Sequence, residues 1–449
     1  MNEAFKSGCV RGPYPLQWDG ETAYRIGRYL PSLLDVKSIV IGRDARISSP
    51  EIFNHLSRGV SESGADVYDI GLVDTPALYF ANVKYGFNAS VMITASHNPN
   101  GDNGLKIHRS NAVPVDSKTG LKELESLIDV KPPAAAGKKG KIEYLDIEKD
   151  YLKLLEGFTH GIKKLKVVLD CSDGCAGRFI HKIIRMIPQG EFIILNDKPD
   201  GNFPAHGPNP LKDSSQVQIR EKIAETKADF GIIFDGDCDR TIFITEKGEM
   251  VMPDLILAFL ARYYFIHFPE KKNRDDGVIY DLRCSSNVKE YVKKLGGKAH
   301  QCKTGHTAIQ SAILGNKGLI GAELAGHYYF RDFYGQDSAF IAMLMAFAVV
   351  SNSRQKFSEI VEEIEKYAFS GEINFKVKNS SAVLDKLENT YAALGAKIDR
   401  SEGIKASFDS WWFLARISNT EPVLRIVVEA EEKVSMRKKV EELTEIITG

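Results

Sequence analysis

Charge imbalance is the first thing this chain of 449 residues lacks: 59 Lys and Arg face 60 Asp and Glu, a formal net charge of −1. Binding nucleic acid or an anionic membrane by bulk attraction needs a basic excess. Neither partner is expected, and an anionic small molecule would need a local basic site. Long apolar runs are also missing. The most apolar stretch, residues 339–350, spans 12 residues, too short to cross a bilayer. Residues 1–14 hold no apolar segment of the signal-peptide kind. Cysteine is sparse and scattered, at 9, 171, 175, 238, 284 and 302, and only Cys171 and Cys175 lie close together. No second pair completes a zinc pattern. Isolated thiols of this kind read as reduced, which points to the cytoplasm. No long internal repeat is present.

The composition is 43% hydrophobic and 27% charged, which is globular. The length exceeds one core and suggests about three domains, with four small ones also possible. Strand and helix signals alternate from the start. Asp19 can cap a helix with Ala23, Ile26 and Leu30 on one face, and Ser49 with Pro50 starts another. Strands are expected over 38–41 and 66–70. This βαβ order implies a parallel or mixed sheet covered by helices. Residues 131–141 read as an exposed loop. Further strands are expected over 166–170, 191–195, 230–234 and 278–281. Helices are expected over about 174–187, 217–224, 382–394 and 434–447, with an amphipathic one over 255–265. The units suggested are 1–150, 151–252, 253–368 and a smaller 369–449.

Two loops carry chemistry. An apolar run, Val91 to Ile93, stops at Thr94, Ala95, Ser96, His97, Asn98 and Pro99; Gly101, Gly104 and Lys106 follow. A serine on the loop after a buried strand is placed to be a nucleophile or phosphate carrier, although the same residues also suit a plain turn. The apolar residues 230–234 run into Asp235, Gly236, Asp237, Cys238, Asp239 and Arg240. Three carboxylates in so short a loop repel one another, and hard oxygen donors at alternate positions suit Mg²⁺. A solvated acidic loop is the other reading. Near the C-terminus, Arg416 and Arg425 flank Ser418, Asn419 and Thr420. Two forked cations around small hydroxyl and amide side chains suit a phosphate cradle, and an ordinary hairpin turn with surface arginines is the other reading.

Residues 94–99 resemble the phosphoserine loop of the α-D-phosphohexomutases, the phosphomannomutase and phosphoglucomutase family, and further motifs follow in the family's order. The resemblance implies an α/β, four-domain, heart-shaped fold: three similar mixed α/β domains and a smaller C-terminal α+β domain around one cleft. It implies that Ser96 carries a phosphoryl group and that Asp235, Asp237 and Asp239, with the phosphate on Ser96, hold Mg²⁺. Arg11, Lys106 and His327 become candidates for catalysis. Arg11 sits in Cys-Val-Arg-Gly where the family usually has Asp-Ile-Arg-Gly. His97, Arg240, Lys303, Gly305 and His306 would contact substrate. Arg283 stands where lysine is common. Glu323 keeps the sugar-binding glutamate, but Ala325 replaces the usual serine. Arg416, Ser418, Asn419, Thr420 and Arg425 would bind the phosphate that is not transferred.

The implied reaction interconverts hexose 1-phosphate and hexose 6-phosphate through hexose 1,6-bisphosphate, which also acts as activator. The implied partner is a small hexose phosphate, and the protein a monomer or weak homodimer. A phosphoglucosamine mutase is the nearest alternative, followed by a metal-dependent sugar phosphatase and a non-catalytic sugar-phosphate binder.

Overall fold

A computed structural model describes residues 3–271, 276–418 and 423–449. The chain forms two compact units. The first comprises Met1–Met250 with His327–Phe357, and the second Val251–Gly326 with Ser358–Gly449.

In the first unit, one sheet has the strand order Val10–Pro13, Asp102–Arg109, Ala89–Ile93, Ser38–Arg43, Asp66–Leu72, Ile142–Tyr144. The last four are parallel, and Asp102–Arg109 returns antiparallel to Ala89–Ile93. Ala89–Ile93 is buried along its whole length, which explains its continuous apolar run. Asp19 caps Gly20–Leu34 as expected, by accepting the Thr22 N–H at 2.8 Å. The loop expected over 131–141 is free of helix and strand. Arg28 pins it by donating to the carbonyls of Pro133 and Ala134. It leads into the edge strand Ile142–Tyr144, which the sequence reading missed.

A second sheet in this unit runs Thr241–Thr245, Phe230–Phe234, Lys166–Asp170, Glu191–Leu195. Its pattern repeats the first, with parallel pairs and then an antiparallel return from Phe230–Phe234 to Thr241–Thr245. Under it lies the helix Ala339–Ser351, buried through Val350. The Phe347 ring lies 5.4 Å from Phe192, tilted by 31°, and Phe340 lies 5.6 Å from Phe234. The single helix expected over 174–187 is instead two pieces, Cys175–Arg178 and Ile180–Arg185. The Cys175 N–H is taken by the Gly236 carbonyl at 3.0 Å, and Phe179, at φ −119° and ψ −20°, is the residue between the two pieces.

The second unit has parallel strands Lys298–Cys302, Gly277–Asp281 and Gly318–Ala322. The helix Pro253–Arg262 is buried on every side. The amphipathic helix expected over 255–265 is therefore a core helix, and it ends in an irregular turn, Tyr263–His267. The C-terminal sheet is antiparallel and places Leu424–Ala430 beside Trp411–Ile417. Helices Ser380–Ala393 and Lys433–Thr448 cover it around Leu387, Tyr391, Phe413 and Leu443. Among the described residues no helix is long and apolar enough to cross a membrane.

Candidate active site

Both chemical loops of the first unit are hairpin connections after fully buried strands. The loop 94–101 joins Ala89–Ile93 to Asp102–Arg109, and the loop 235–240 joins Phe230–Phe234 to Thr241–Thr245. Ser96 is fully buried, at φ 52°. Its Oγ donates to Asp235 Oδ2 at 2.8 Å and lies 3.2 Å from His97 Nδ1. Its N–H is held by Thr94 Oγ1 at 2.8 Å. Beneath the loop, the buried Arg46 guanidinium donates to the carbonyls of Ser96, Asn98, Pro99 and Asp102 at 2.6–2.8 Å.

Gly104 brings Arg11 to this place. In register, Arg11 faces Gly104 across the antiparallel pair, two residues before Lys106. A Cβ at Gly104 would come within 2.3 Å of the Val10 carbonyl and 2.8 Å of the Thr94 carbonyl. Only glycine permits that approach.

Asp235, Asp237 and Asp239 are buried and offer oxygens within 4.8 Å of one another. Lys106 Nζ bridges Asp237 Oδ2 at 2.6 Å and Asp239 Oδ2 at 2.5 Å. Thr75 Oγ1 donates to Asp237 at 2.6 Å. Burial and the two neighbouring aspartates push the Asp235 carboxyl well above its ordinary range. For Asp237, burial and Asp239 oppose the charge, but Lys106 and Thr75 outweigh them and the net shift is down. Asp239 is also lowered: burial works against it, and its neighbours Lys106, His327 and Arg240 outweigh that. Lys106 loses to burial and gains more from the two aspartates, so its shift is upward. A lysine base needs the opposite shift while it faces both carboxylates.

The site fits a divalent cation. Asp237 Oδ1 and Asp239 Oδ1 are buried without a hydrogen-bond partner, and an all-oxygen donor set suits a hard ion such as Mg²⁺. Cys238 takes a left-handed φ of 55° inside the loop, and its buried thiol is pushed up by burial, so it stays protonated.

The remaining groups close in around these. Arg240 Nε lies 3.9 Å from both Asp235 and Asp239. Arg240, burial and Arg11 together drive the His97 pKa well down, so His97 is neutral. Burial opposes the Arg11 charge, but the field of Cys9 and the three aspartates outweighs it. His327 Nδ1 is 2.5 Å from the buried Asp337 Oδ2 and 3.7 Å from Asp239 Oδ1.

In the second unit the basic groups gather on Glu372. Arg416 Nη2 reaches its Oε2 at 3.0 Å, Arg425 Nη1 its Oε1 at 3.1 Å, and Arg283 Nη1 its Oε2 at 3.6 Å. Arg283 is also forked onto Asp281 and lies 3.3 Å from Glu323. Ser418 is buried, and its N–H bonds the Val423 carbonyl at 3.0 Å. Asn419 and Thr420 lie outside the described residues. Lys303, Gly305 and His306 connect the strand Lys298–Cys302 to the helix His306–Ala312, with Gly305 at φ 107°. The Thr304 N–H between them is held by the Glu402 carboxylate at 3.0 Å. In a separate loop, after the strand Gly318–Ala322, Ala325 brings no hydroxyl.

Arg46, Thr75, Asp337, Glu372 and Glu402 were not found from the sequence. Gly42-Arg43-Asp44 was visible as a strand end, but nothing local marked Arg46, two residues on.

Asp74, which precedes Thr75, makes a separate test possible. It caps the helix Thr75–Lys84 by accepting the Ala77 N–H at 2.8 Å and also accepts the Tyr151 hydroxyl at 2.9 Å. Burial pushes its carboxyl up to about 7. The folded state therefore binds its proton more tightly than the unfolded chain does. Its contribution is intact below about pH 4 and is lost as pH rises to 7, on the order of a few kcal/mol. Asp74→Asn keeps the cap acceptor and removes the charge. Wild type should lose more melting temperature than Asp74→Asn between pH 5 and pH 8. Parallel curves would show that Asp74 is not the source.

Comparison with known proteins matches this layout along the whole chain. The family model described as phosphoglucomutase/phosphomannomutase, alpha/beta/alpha domain I, matches residues 2–132; domains II and III match 149–248 and 252–367, and the C-terminal domain matches 372–446. A Xanthomonas campestris pv. campestris protein described as phosphohexose mutases is 34% identical, covering 99% of each chain. A phosphomannomutase of Salmonella typhimurium is 34% identical over 95% of this chain and 94% of its own. The crystal structure of a phosphoglucomutase/phosphomannomutase family protein from Burkholderia thailandensis superposes with a TM-score of 0.87 at 27% identity, covering 99% of this chain and 97% of that one. The loops of Ser96 and Asp235, the four matched domains and these relatives agree: the chain belongs to the phosphoglucomutase/phosphomannomutase family.

Proposed function

We propose that this protein is a phosphomannomutase/phosphoglucomutase that interconverts hexose 1-phosphate and hexose 6-phosphate, with Ser96 as the phosphoryl carrier. The observation that carries the reading is the Ser96 hydroxyl bonded to Asp235 within a buried cluster of three aspartates. A substrate hydroxyl attacks the phosphorus of phosphorylated Ser96, the bond to Ser96 Oγ breaks, and a hexose 1,6-bisphosphate results. The bisphosphate then returns its other phosphoryl group to Ser96. Asp235, Asp237 and Asp239 would hold Mg²⁺, which when bound neutralises charge on the group in transfer. Arg11, Arg240 and the neutral His97 orient the phosphoryl oxygens. Arg416 and Arg425 bind the phosphate that is not in transfer.

Three residues were candidates for the base. Lys106 and Arg11 both keep their protons here. His327 is the third: its Nδ1 is held on Asp337 Oδ2 at 2.5 Å, which leaves Nε2 as the ring atom that would take the hydroxyl proton. The six cysteines are free thiols, which suits a reducing compartment, the cytoplasm.

The test is incubation of the protein with Mg²⁺, a trace of hexose 1,6-bisphosphate and, separately, mannose, glucose and glucosamine 1-phosphates, followed by phosphorus NMR. Appearance of 6-phosphates supports the mutase, and the relative rates name the sugar. Free phosphate alone would put a phosphatase in its place, and binding without turnover a sugar-phosphate binder.

A further inference from the structure

Three arginines of the second unit share the Glu372 carboxylate. Arg416 and Arg425 stand directly opposite each other on adjacent antiparallel strands. Like charges in that register repel. Burial and the Arg283 charge hold the Arg416 pKa down, so the positive charge here is crowded. Glu372 answers this with one carboxylate oxygen for each arginine of the pair, at 3.0 and 3.1 Å, and Arg283 adds a third cation at 3.6 Å. Its position is built. Gly371, at φ 67°, turns the chain, and the strand Ile373–Phe375 then pairs with Leu424–Ala430, placing Asn374 opposite Arg425. Ser370 fastens the turn by accepting the Val428 N–H on Oγ at 2.9 Å.

We propose that Glu372 is an internal counter-ion that occupies the arginine pair in place of phosphate and so limits how tightly the pair holds a substrate phosphate. A sugar phosphate is close to a dianion at neutral pH. To reach Arg416 and Arg425 it must displace or share them with a carboxylate that already takes both, and it meets that negative charge at close range. The reaction proposed above gives this a use. A bisphosphate that returns its other phosphoryl group must release the arginines with one phosphate and rebind with the other. Too firm a hold would stall that step. Glu372 is thus a positioning residue, acting through the arginines and not on the reacting atoms.

The kinetic part rests on the mutase reading; the binding part does not. Glu372→Gln keeps the shape and removes the charge. Inorganic phosphate, titrated by calorimetry at constant ionic strength, should bind Glu372→Gln about tenfold more tightly than wild type, the size of one partly screened charge interaction. In turnover KM should fall and kcat should fall with it, with less free bisphosphate released. Unchanged or weaker phosphate binding would overturn the proposal, as would a raised KM.

If Glu372→Gln folds poorly, melting temperature against phosphate concentration decides. Phosphate, but not chloride at equal ionic strength, should restore it further than it raises wild type. Failure to restore would make Glu372 a structural partner only. A wild type without mutase turnover would sink the mutase reading and leave the phosphate comparison standing.

Discussion

Ser96→Ala should abolish the interconversion of hexose 1- and 6-phosphates while leaving a folded protein. Losing a covalent nucleophile costs roughly 10⁴–10⁶-fold in turnover in enzymes whose chemistry runs through it. The substitution is conservative for the backbone. Alanine has the same Cβ as serine, so it meets the same φ of 52° at this position. Its price in stability is the bond from Oγ to Asp235 Oδ2 at 2.8 Å. Asp235 keeps the N–H groups of Asp239 and Arg240 on its other oxygen, at 3.2 and 3.1 Å. A loss of about 1 kcal/mol is expected, the typical net worth of one hydrogen bond. Incubation with radiolabelled hexose 1,6-bisphosphate should label wild type and leave Ser96→Ala unlabelled, while calorimetry should still find bisphosphate binding. Labelling of the variant would move the phosphoryl carrier to another residue. Retained turnover would overturn the mechanism itself.

How much of this was legible depends on how local each signal is. The strands Lys166–Asp170, Glu191–Leu195 and Phe230–Phe234 occupy the expected residues, because an apolar run bounded by turn residues is a property of the segment alone. The helix expected from 174 breaks at Phe179 because Cys175 is tied to Gly236, a contact that no window of sequence contains. The helix Pro253–Arg262 looked amphipathic and is buried all round, since its polar members also find partners inside: Asp254 accepts the Ser285 N–H and Arg262 donates to the Tyr291 hydroxyl.

The site divides in the same way. Ser96 and the three aspartates sit in short contiguous loops with a recognisable order. Their supports do not. Thr75 meets Asp237 across 162 positions, Arg46 meets the Asn98 carbonyl across 52, and Glu372 meets Arg416 across 44. An isolated arginine, threonine or glutamate in sequence reads as a surface residue, and only the fold makes it a partner.

Arg46→Met should be the most damaging single change outside the reacting groups. One guanidinium satisfies the carbonyls of Ser96, Asn98, Pro99 and Asp102 and is itself paired, through Nε, with Asp44 Oδ2 at 3.1 Å. Both side chains of the pair are fully buried. Methionine fills much of the volume but donates nothing. Four carbonyls lose a partner, and Asp44, whose carboxyl burial already pushes up, loses its cation. Breaking a buried pair from one side costs about 3–5 kcal/mol, and the melting temperature should drop accordingly.

Two further variants separate charge from geometry. Asp44→Asn on top of Arg46→Met removes the stranded carboxylate and should recover part of the stability, but no activity, because the serine loop still lacks its clamp. Arg46→Lys keeps the charge and loses the fork, since one ammonium has three donors and no planar geometry to meet four carbonyls. It should stay folded and lose kcat with little change in KM. The labelling of Ser96 by bisphosphate should slow in the same proportion. If Arg46→Lys labelled at the wild-type rate, the loop would hold Ser96 in place without Arg46. The arginine would then be a fold-stabilising group alone.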